Sequence, residues 1–381
     1  MMMYKELCGE KISRLGMGNM RLPTMDGRNG PIDEEKAQAI IDYLMASGVN
    51  YYDTAYMYHG GKSEIFVGKA LSKYPRNSYF LADKMPSYPL EEGRTPQEIF
   101  EEQLQKCGTD HFDFYLIHNL CEDSVPVFTD PEKGVIPYLL EQKKNGRIRH
   151  FGLSSHAKPE TLKAFLDQYD FFEFVQLQLN YLDWEMQDAK QQYEIVTNYG
   201  APVWVMEPCR GGRLASLTPE ADKLLTDCDP NRSVASWAFR YVMSLPNVGV
   251  ILSGMTQMNQ AENNVATFSE GKNLTEQEQA VLNQALEQFR SQVIVPCTAC
   301  HYCDGCPMEL EIPDILKLYN RYSLNKSPMI HMDVAELAHG PADCIACGAC
   351  ESKCPQHIAI PEIMAKFAEG LKTLPKPKMN P

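Results

Sequence analysis

Four polar residues and two cysteine runs carry the chemistry available to this sequence. The stretches YYDTAYMY, LADK and FYLIHN supply Asp53, Tyr58, Lys84 and His118. Reducing a carbonyl requires a proton for the developing alkoxide, and a phenol with a pKa near 10 is a poor donor at neutral pH. An ammonium beside the phenol stabilises phenolate, and a buried carboxylate keeps that ammonium charged and in place. On this chemistry Tyr58 is the acid, Lys84 its modulator and Asp53 the anchor, while His118 orients the carbonyl oxygen and stabilises its charge. Taken singly, each also has an ordinary structural reading: a strand-end ion pair, a core tyrosine, a satisfied histidine. Further along, Cys297, Cys300, Cys303 and Cys306 are spaced C-x2-C-x2-C-x2-C-P, and Cys344, Cys347, Cys350 and Cys354 are spaced C-x2-C-x2-C-x3-C-P. Three-step runs ending in Cys-Pro favour iron-sulfur clusters; zinc, which usually draws on paired C-x2-C knuckles, is the alternative for the same eight thiolates.

The elements that must position these groups follow from periodicity. Short β-rich runs at 14–20, 50–55, 78–84, 112–118, 148–154, 174–180, 202–208 and 248–254 alternate with helical patterns. The first helix opens at IDEEKAQAIIDYLMASG, where Asp33 caps, Glu34 and Glu35 favour the positive end, and Gly48 ends the pattern. Others start near Lys62, Thr95, Glu132, Lys158, Glu185, Arg232 and Gln257. Eight strand-helix alternations predict an α/β fold, a closed (β/α)8 TIM barrel with reaction groups at the C-terminal strand ends. An open doubly wound sheet is the alternative. After the helix TEQEQAVLNQALEQFRSQ the composition turns to cysteine, proline and short helices. The division is therefore a barrel over 1–291, a small, mainly α-helical domain over 292–372, which the cysteine runs' resemblance described below makes ferredoxin-like, and a frayed tail over 373–381.

Composition narrows the partners. The chain has 381 residues and a net charge of −14, which disfavours nucleic acid and anionic membrane surfaces. No apolar run reaches a membrane span, and MMMYKELCGEKIS lacks the apolar stretch of a signal peptide. The expectation is a cytoplasmic protein whose thirteen cysteines stay reduced. Two decoys are set aside. GGKS at 60–63 lacks the first glycine of a phosphate loop and reads as a turn starting a helix. Cys121 and Cys209 read as small buried hydrophobes.

The order and spacing of Asp53, Tyr58, Lys84 and His118 resemble the tetrad of the aldo-keto reductase family, over roughly residues 4 to 290. That resemblance implies a nicotinamide cofactor. GLSSH implicates Ser154 and Ser155, and VQLQLNYLD implicates Gln176, at the carboxamide. Met206 stands where the family usually stacks an aromatic ring on nicotinamide. In SGMTQMNQAENN, Ser253, Gly254 and Met255 fall near phosphate and Glu262 and Asn263 near adenine. Members preferring NADP carry basic side chains at the positions of Ser253 and Asn259, so NADP preference is not supported and NAD(P)H or another redox cofactor stays open.

The second cysteine run resembles the bacterial ferredoxin run for a [4Fe-4S] cluster, and the first is one residue shorter. By that resemblance Cys297, Cys300, Cys303 and Cys354 hold one cluster, and Cys344, Cys347, Cys350 and Cys306 the other. Barrel and tail together match an aldo-keto reductase subgroup with a C-terminal ferredoxin domain. Nicotinamide moves two electrons as hydride, whereas a cluster moves one. Three arrangements resolve this: the clusters exchange electrons with a ferredoxin or flavodoxin and feed a flavin, they are structural, or they donate single electrons to a carbonyl substrate. A non-catalytic nucleotide-binding redox sensor is the competing class, and an intact proton donor argues against it.

Overall fold

The structure, a computed structural model, describes residues 1–25, 30–290 and 295–376. They form two compact units: Met1–Cys209 with Asp229–Gln279, and Arg210–Cys228 with Ala280–Pro381. The expected boundary at 291–292 and the end of the expected tail lie outside the described residues.

The first unit opens with an antiparallel hairpin of β1 (Tyr4–Leu7) and β2 (Glu10–Ser13). Its two turn residues, Cys8 and Gly9, have φ of 53° and 78°, the left-handed values a tight hairpin turn needs. Eight parallel strands follow: β3 (Leu15–Gly18), β4 (Tyr51–Asp53), β5 (Phe80–Met85), β6 (Phe112–Leu120), β7 (Ile148–Ser155), β8 (Val175–Gln178), β9 (Val203–Met206) and β10 (Val248–Ser253). They pair in chain order, and β10 closes onto β3 through Ile251 opposite Leu15, so the sheet is a barrel and not an open sheet. Leu7 and Ile12 of the hairpin share an interior cluster with Tyr51, Phe114, Phe174 and Trp204. Lys5 bonds the carbonyls of Pro246 and Val248, fixing the hairpin where β10 begins.

The helices after successive strands are α1 (Glu34–Ala46), α2 (Ser63–Leu71), α3 (Pro96–Cys107), α4 (Val135–Lys144), α5 (Pro159–Gln168), α6 (Ala189–Tyr199), α7 (Val234–Met243) and α8 (Met258–Glu270). Asp33 caps α1 by accepting from the Lys36 N–H, and Thr95 with Glu98 forms a capping box on α3. GGKS is the turn into α2, with Gly60 and Gly61 at φ of 61° and 81°.

The second unit is helical. It contains α10 (Ile312–Asn325), α11 (Ile330–Ala335) and α12 (Ile360–Thr373), with α9 (Glu276–Arg290) before them in sequence. Its core gathers Ile312, Ile315, Leu316, Ile360, Met364 and Phe367, with six of the motif cysteines packed against it. Asn320 is buried and holds the incoming chain by exchanging two bonds with Val295, at 2.7 and 2.9 Å. Among the described residues no helix is long and apolar enough to cross a membrane.

Close packing of α2 on α3 depends on Gly68, where an added Cβ would stand 2.3 Å from the Cys107 carbonyl oxygen. Gly68→Ala is expected to cost about 1–3 kcal/mol through overpacking, read as a lower thermal unfolding midpoint. An unchanged midpoint would show that the two helices separate freely.

Candidate active site and cysteine centres

Strand periodicity sorts the barrel interior into apolar and polar layers. Side chains at i and i+2 share a face, so Tyr51 and Asp53, Ala82 and Lys84, and Leu116 and His118 face the same way on their strands. Register places Asp53 opposite Ala82 and Lys84 opposite Leu116. Tyr51, Ala82 and Leu116 belong to the interior apolar cluster, which leaves Asp53, Lys84 and His118 one layer nearer the C-terminal strand ends.

There the Lys84 ammonium, fully buried, donates to Asp53 Oδ1 and to the Thr54 carbonyl, both at 2.6 Å. The same Nζ lies 5.0 Å from the centroid of the Tyr58 ring. Tyr58 and His118 meet edge to face, with centroids 5.9 Å apart and planes at 84°. All four predicted tetrad residues are therefore brought together. Burial pushes the Asp53 carboxyl above its ordinary value while the Lys84 charge pulls it back. Removing either partner would strand the other as an uncompensated buried charge, which typically costs about 3–5 kcal/mol. Burial, then the charge of Lys84, holds His118 well below the usual histidine range, so its imidazole is neutral.

A second polar layer, outside the barrel, braces the backbone of Lys84. Its N–H donates to Asp83 Oδ1 at 2.8 Å, and its carbonyl accepts from Gln103 Nε2 at 3.0 Å. Gln103 also donates to Glu64 Oε1 at 3.0 Å and accepts from Tyr115. Burial, then the charge of Glu64, pushes Asp83 well above the carboxylate range. Sequence reading missed this network, because α2, α3 and β5 meet only in the folded barrel.

The predicted cofactor residues fall into two groups. Gln176 and Met206 adjoin: Gln176 Nε2 lies 3.5 Å from the Met206 sulfur, and Gln176 Oε1 is buried without a hydrogen-bond partner. An orphaned acceptor there fits the amide N–H of a nicotinamide. Asn119, with φ of 57°, has a second buried acceptor without a partner, Oδ1, and was not anticipated. Ser154 and Ser155 bond to backbone: Ser154 Oγ accepts the Asn119 N–H at 2.9 Å and Ser155 Oγ the Ala157 N–H at 3.1 Å. Ser253 accepts from Asn264 at 3.0 Å, Asn263 accepts from Ser233 at 2.7 Å, Met255 is buried, and Gly254 and Glu262 are exposed.

In the second unit the two cysteine runs share one backbone form. Ala299 and His301 flank Cys300 with φ of 51° and 67°, and Ala346 and Gly348 flank Cys347 with φ of 55° and 78°. Alternating handedness of this kind turns successive N–H groups toward one point, the concavity that iron-sulfur sites use. The Ala299 N–H donates to the Cys297 sulfur at 3.3 Å. Cys303, Cys306, Cys344, Cys347 and Cys350 line one cavity with Ile345 and Ile360. The thiols also group electrostatically: Cys344, Cys306 and Cys347 act on Cys350, whereas Cys300, Cys297 and Cys354 act on Cys303. These loops fit iron-sulfur groups. Among the described residues, no three His, Cys, Asp or Glu side chains converge on a point that a single metal ion would occupy. Arg210 and Arg213 of the same unit donate to the carbonyls of Pro296 and Cys297 at 2.7 and 2.8 Å, a feature the sequence did not disclose.

A polar layer of this kind at the C-terminal ends of a (β/α)8 barrel, with thiolate loops in a helical appendix, belongs to an oxidoreductase class. The profile of the Aldo/keto reductase family matches residues 14–287, and that of the 4Fe-4S dicluster domain matches 296–359. The chain belongs to the aldo/keto reductase family and carries a 4Fe-4S dicluster domain. It is 26% identical over 304 residues to the NADH-specific methylglyoxal reductase of Escherichia coli, covering 68% of this chain and 90% of that one. Against the L-galactose dehydrogenase of Arabidopsis thaliana it is 24% identical over 292 residues, 70% and 87% of the two chains. The solved aldo-keto reductase AKR11C1 from Bacillus halodurans, in its holo form, superposes with a TM-score of 0.61 at 28% identity, covering 75% of this chain and 96% of that one.

Burial also lowers the pKa of His59. In the unfolded chain both His59 and His118 would take up a proton near the ordinary value of 6.5. The unfolded state then binds more protons, so stability is full above that pH and falls as pH drops through it. The thermal midpoint is expected to decline from about pH 6.5 to about pH 5, and His118→Gln to remove part of the slope. A parent profile flat across that window would contradict the assignment.

Proposed function

We propose that this oxidoreductase reduces a small-molecule carbonyl, or oxidises the corresponding alcohol, at the Tyr58 site, and that its helical unit transfers electrons through two [4Fe-4S] clusters. The observation that carries the reading is the Lys84 ammonium, buried against Asp53 and the Thr54 carbonyl and 5.0 Å from the Tyr58 ring centroid. Tyr58 gives its proton to the carbonyl oxygen as negative charge develops there. Neutral His118 donates a hydrogen bond to the same oxygen and orients it. Asp53 holds the Lys84 ammonium in place, and Lys84 stabilises the phenolate left behind.

A nicotinamide dinucleotide, when bound, supplies or accepts the hydride. Gln176 Oε1 would receive its carboxamide, with Ser154, Ser155 and Met206 nearby and Ser253, Gly254, Met255, Glu262 and Asn263 along the rest of the molecule. With no lysine or arginine at Ser253 or Asn259, NADH is the expected form, and the Escherichia coli relative is described as NADH-specific.

For the clusters, the proposed ligands are Cys297, Cys300, Cys303 and Cys354 for one and Cys344, Cys347, Cys350 and Cys306 for the other. All four of the second set line one cavity, which only Cys303 of the first set joins, and this supports that pairing. Each cluster, when bound, takes up one electron at a time, which suits a ferredoxin- or flavodoxin-type carrier as partner. Thirteen cysteines with no disulfide among them fit a reducing compartment, the cytoplasm.

Tyr58→Phe is expected to lower anaerobic turnover of small aldehydes about 10²- to 10⁴-fold with the clusters intact. Unchanged turnover would remove the catalytic assignment. Cys306→Ser is expected to disturb the spin-resonance signal of one cluster and leave the other, with iron falling from about eight toward about four per chain. A parent holding zinc and no iron would overturn the electron-transfer half.

A further inference from the structure

The two sets of cysteines meet different charges. Arg210 follows β9 by four residues yet belongs to the helical unit, where it is fully buried. It takes a left-handed conformation, φ 47°, uncommon for a side chain of this size, and Gly211 and Gly212 after it have φ of 64° and 94°. Such a turn persists only where its surroundings hold it. Here they are the chain entering the first cysteine run. Arg210 Nη2 donates to the Pro296 carbonyl at 2.7 Å and Nη1 to that of Cys297 at 3.5 Å, while Arg213 Nη1 donates to the Cys297 carbonyl at 2.8 Å. Carbonyl acceptors carry no net charge, so these bonds bring two guanidinium charges to Cys297 without cancelling them. Burial raises the Cys297 thiol, and the Ala299 N–H and the charges of Arg213 and Arg210 draw it back.

The second set is surrounded differently. In the cavity of Cys306, Cys344, Cys347 and Cys350 the cation is Lys353, an exposed side chain whose charge water and salt screen. Cys347 is itself exposed, and Ile345 beside it is 60% exposed. Anions do approach the first set: Asp304 acts on Cys303 and Glu351 on Cys354. Both carboxylates are exposed, and Asp304 is hydrogen-bonded to His301 Nδ1 at 3.0 Å. Arg210 is out of water, where a charge acts more strongly over the same distance, so the cations prevail at the first set.

We propose that Arg210 and Arg213 raise the reduction potential of the cluster held by Cys297, Cys300, Cys303 and Cys354 and leave that of the other cluster in place. The inference rests on the two-cluster reading above and adds the residues that tune one of the two. Reduction adds one electron to a cluster, with no bond formed or broken, and makes the site more negative by one charge. A nearby cation stabilises that reduced state, most where solvent does not screen it. The arginines thereby favour passage of an electron from the second site, the more exposed, to the first.

The test is a potentiometric titration of the intact protein, purified without oxygen and followed by spin resonance. Arg213, which is only half-buried, is substituted in preference to Arg210, and circular dichroism and iron content check that each variant is folded and loaded. Arg213→Gln is expected to shift the one-electron equilibrium of one cluster about threefold toward the oxidised form. Arg213→Glu should shift it about tenfold, a fall of about 59 mV, with the other cluster unmoved. Arg213→Lys keeps the charge and should stay near the parent; a fall as large as that of Arg213→Gln would mark a structural brace and overturn the proposal. Cys347→Ala removes a ligand of the second cluster, and the signal that remains should still respond to Arg213→Gln. Unchanged potentials, equal shifts in both clusters, or a response lost in the Cys347→Ala background would each overturn the proposal. A parent without iron sinks the cluster reading itself, and this proposal with it.

Discussion

The barrel is organised around one buried ion pair, Lys84 with Asp53. A fully buried ammonium is tolerated only when paired and hydrogen-bonded, and here a carboxylate and a backbone carbonyl do both. That requirement fixes much else. β4 and β5 must be neighbours in parallel register, Lys84 must sit two residues beyond the partner of Asp53, and the network of Asp83, Gln103 and Glu64 must hold the Lys84 backbone from outside. Tyr58 and His118 are then placed in the field of a charge that solvent does not screen.

The helical unit meets a different constraint. Its apolar core is small, and domains of this size commonly draw stability from metal or disulfide links. Here the cysteines pack against that core, and their loops take left-handed conformations that turn backbone N–H groups inward. Both runs adopt the form around their central cysteines although the first is a residue shorter, because the shortening falls after Cys303, beyond the shared turns. At the end of the second run the Cys354 sulfur is approached by backbone N–H groups of Ile358, Gln356 and His357.

What could be read in the sequence was what depends on local pattern. Apolar runs spaced by helical segments disclosed all eight barrel strands, and turn and cap residues such as Asp33, Thr95 and Gly48 marked the helices. Asp53, Tyr58, Lys84 and His118 could be singled out because they lie at or just past strand ends in a fixed order, and the barrel brings them together. The hairpin β1–β2 was not legible, since four-residue strands with mixed polar character give almost no periodic signal. Glu64 and Gln103 were invisible for another reason: each matters through a partner distant in sequence, and nothing local marks them. The grouping of Arg210–Cys228 with the C-terminal unit is likewise a tertiary event, carried by guanidinium bonds to carbonyls more than eighty residues away.

The most direct measurement of the central claim is the pH dependence of carbonyl reduction in the parent and in Lys84→Met, under saturating NADH. If the buried ammonium acts on the Tyr58 phenol, the decline of the rate at alkaline pH moves upward when the charge is removed, alongside a lower maximal rate. A profile that keeps its alkaline limb in place after the substitution would contradict the account.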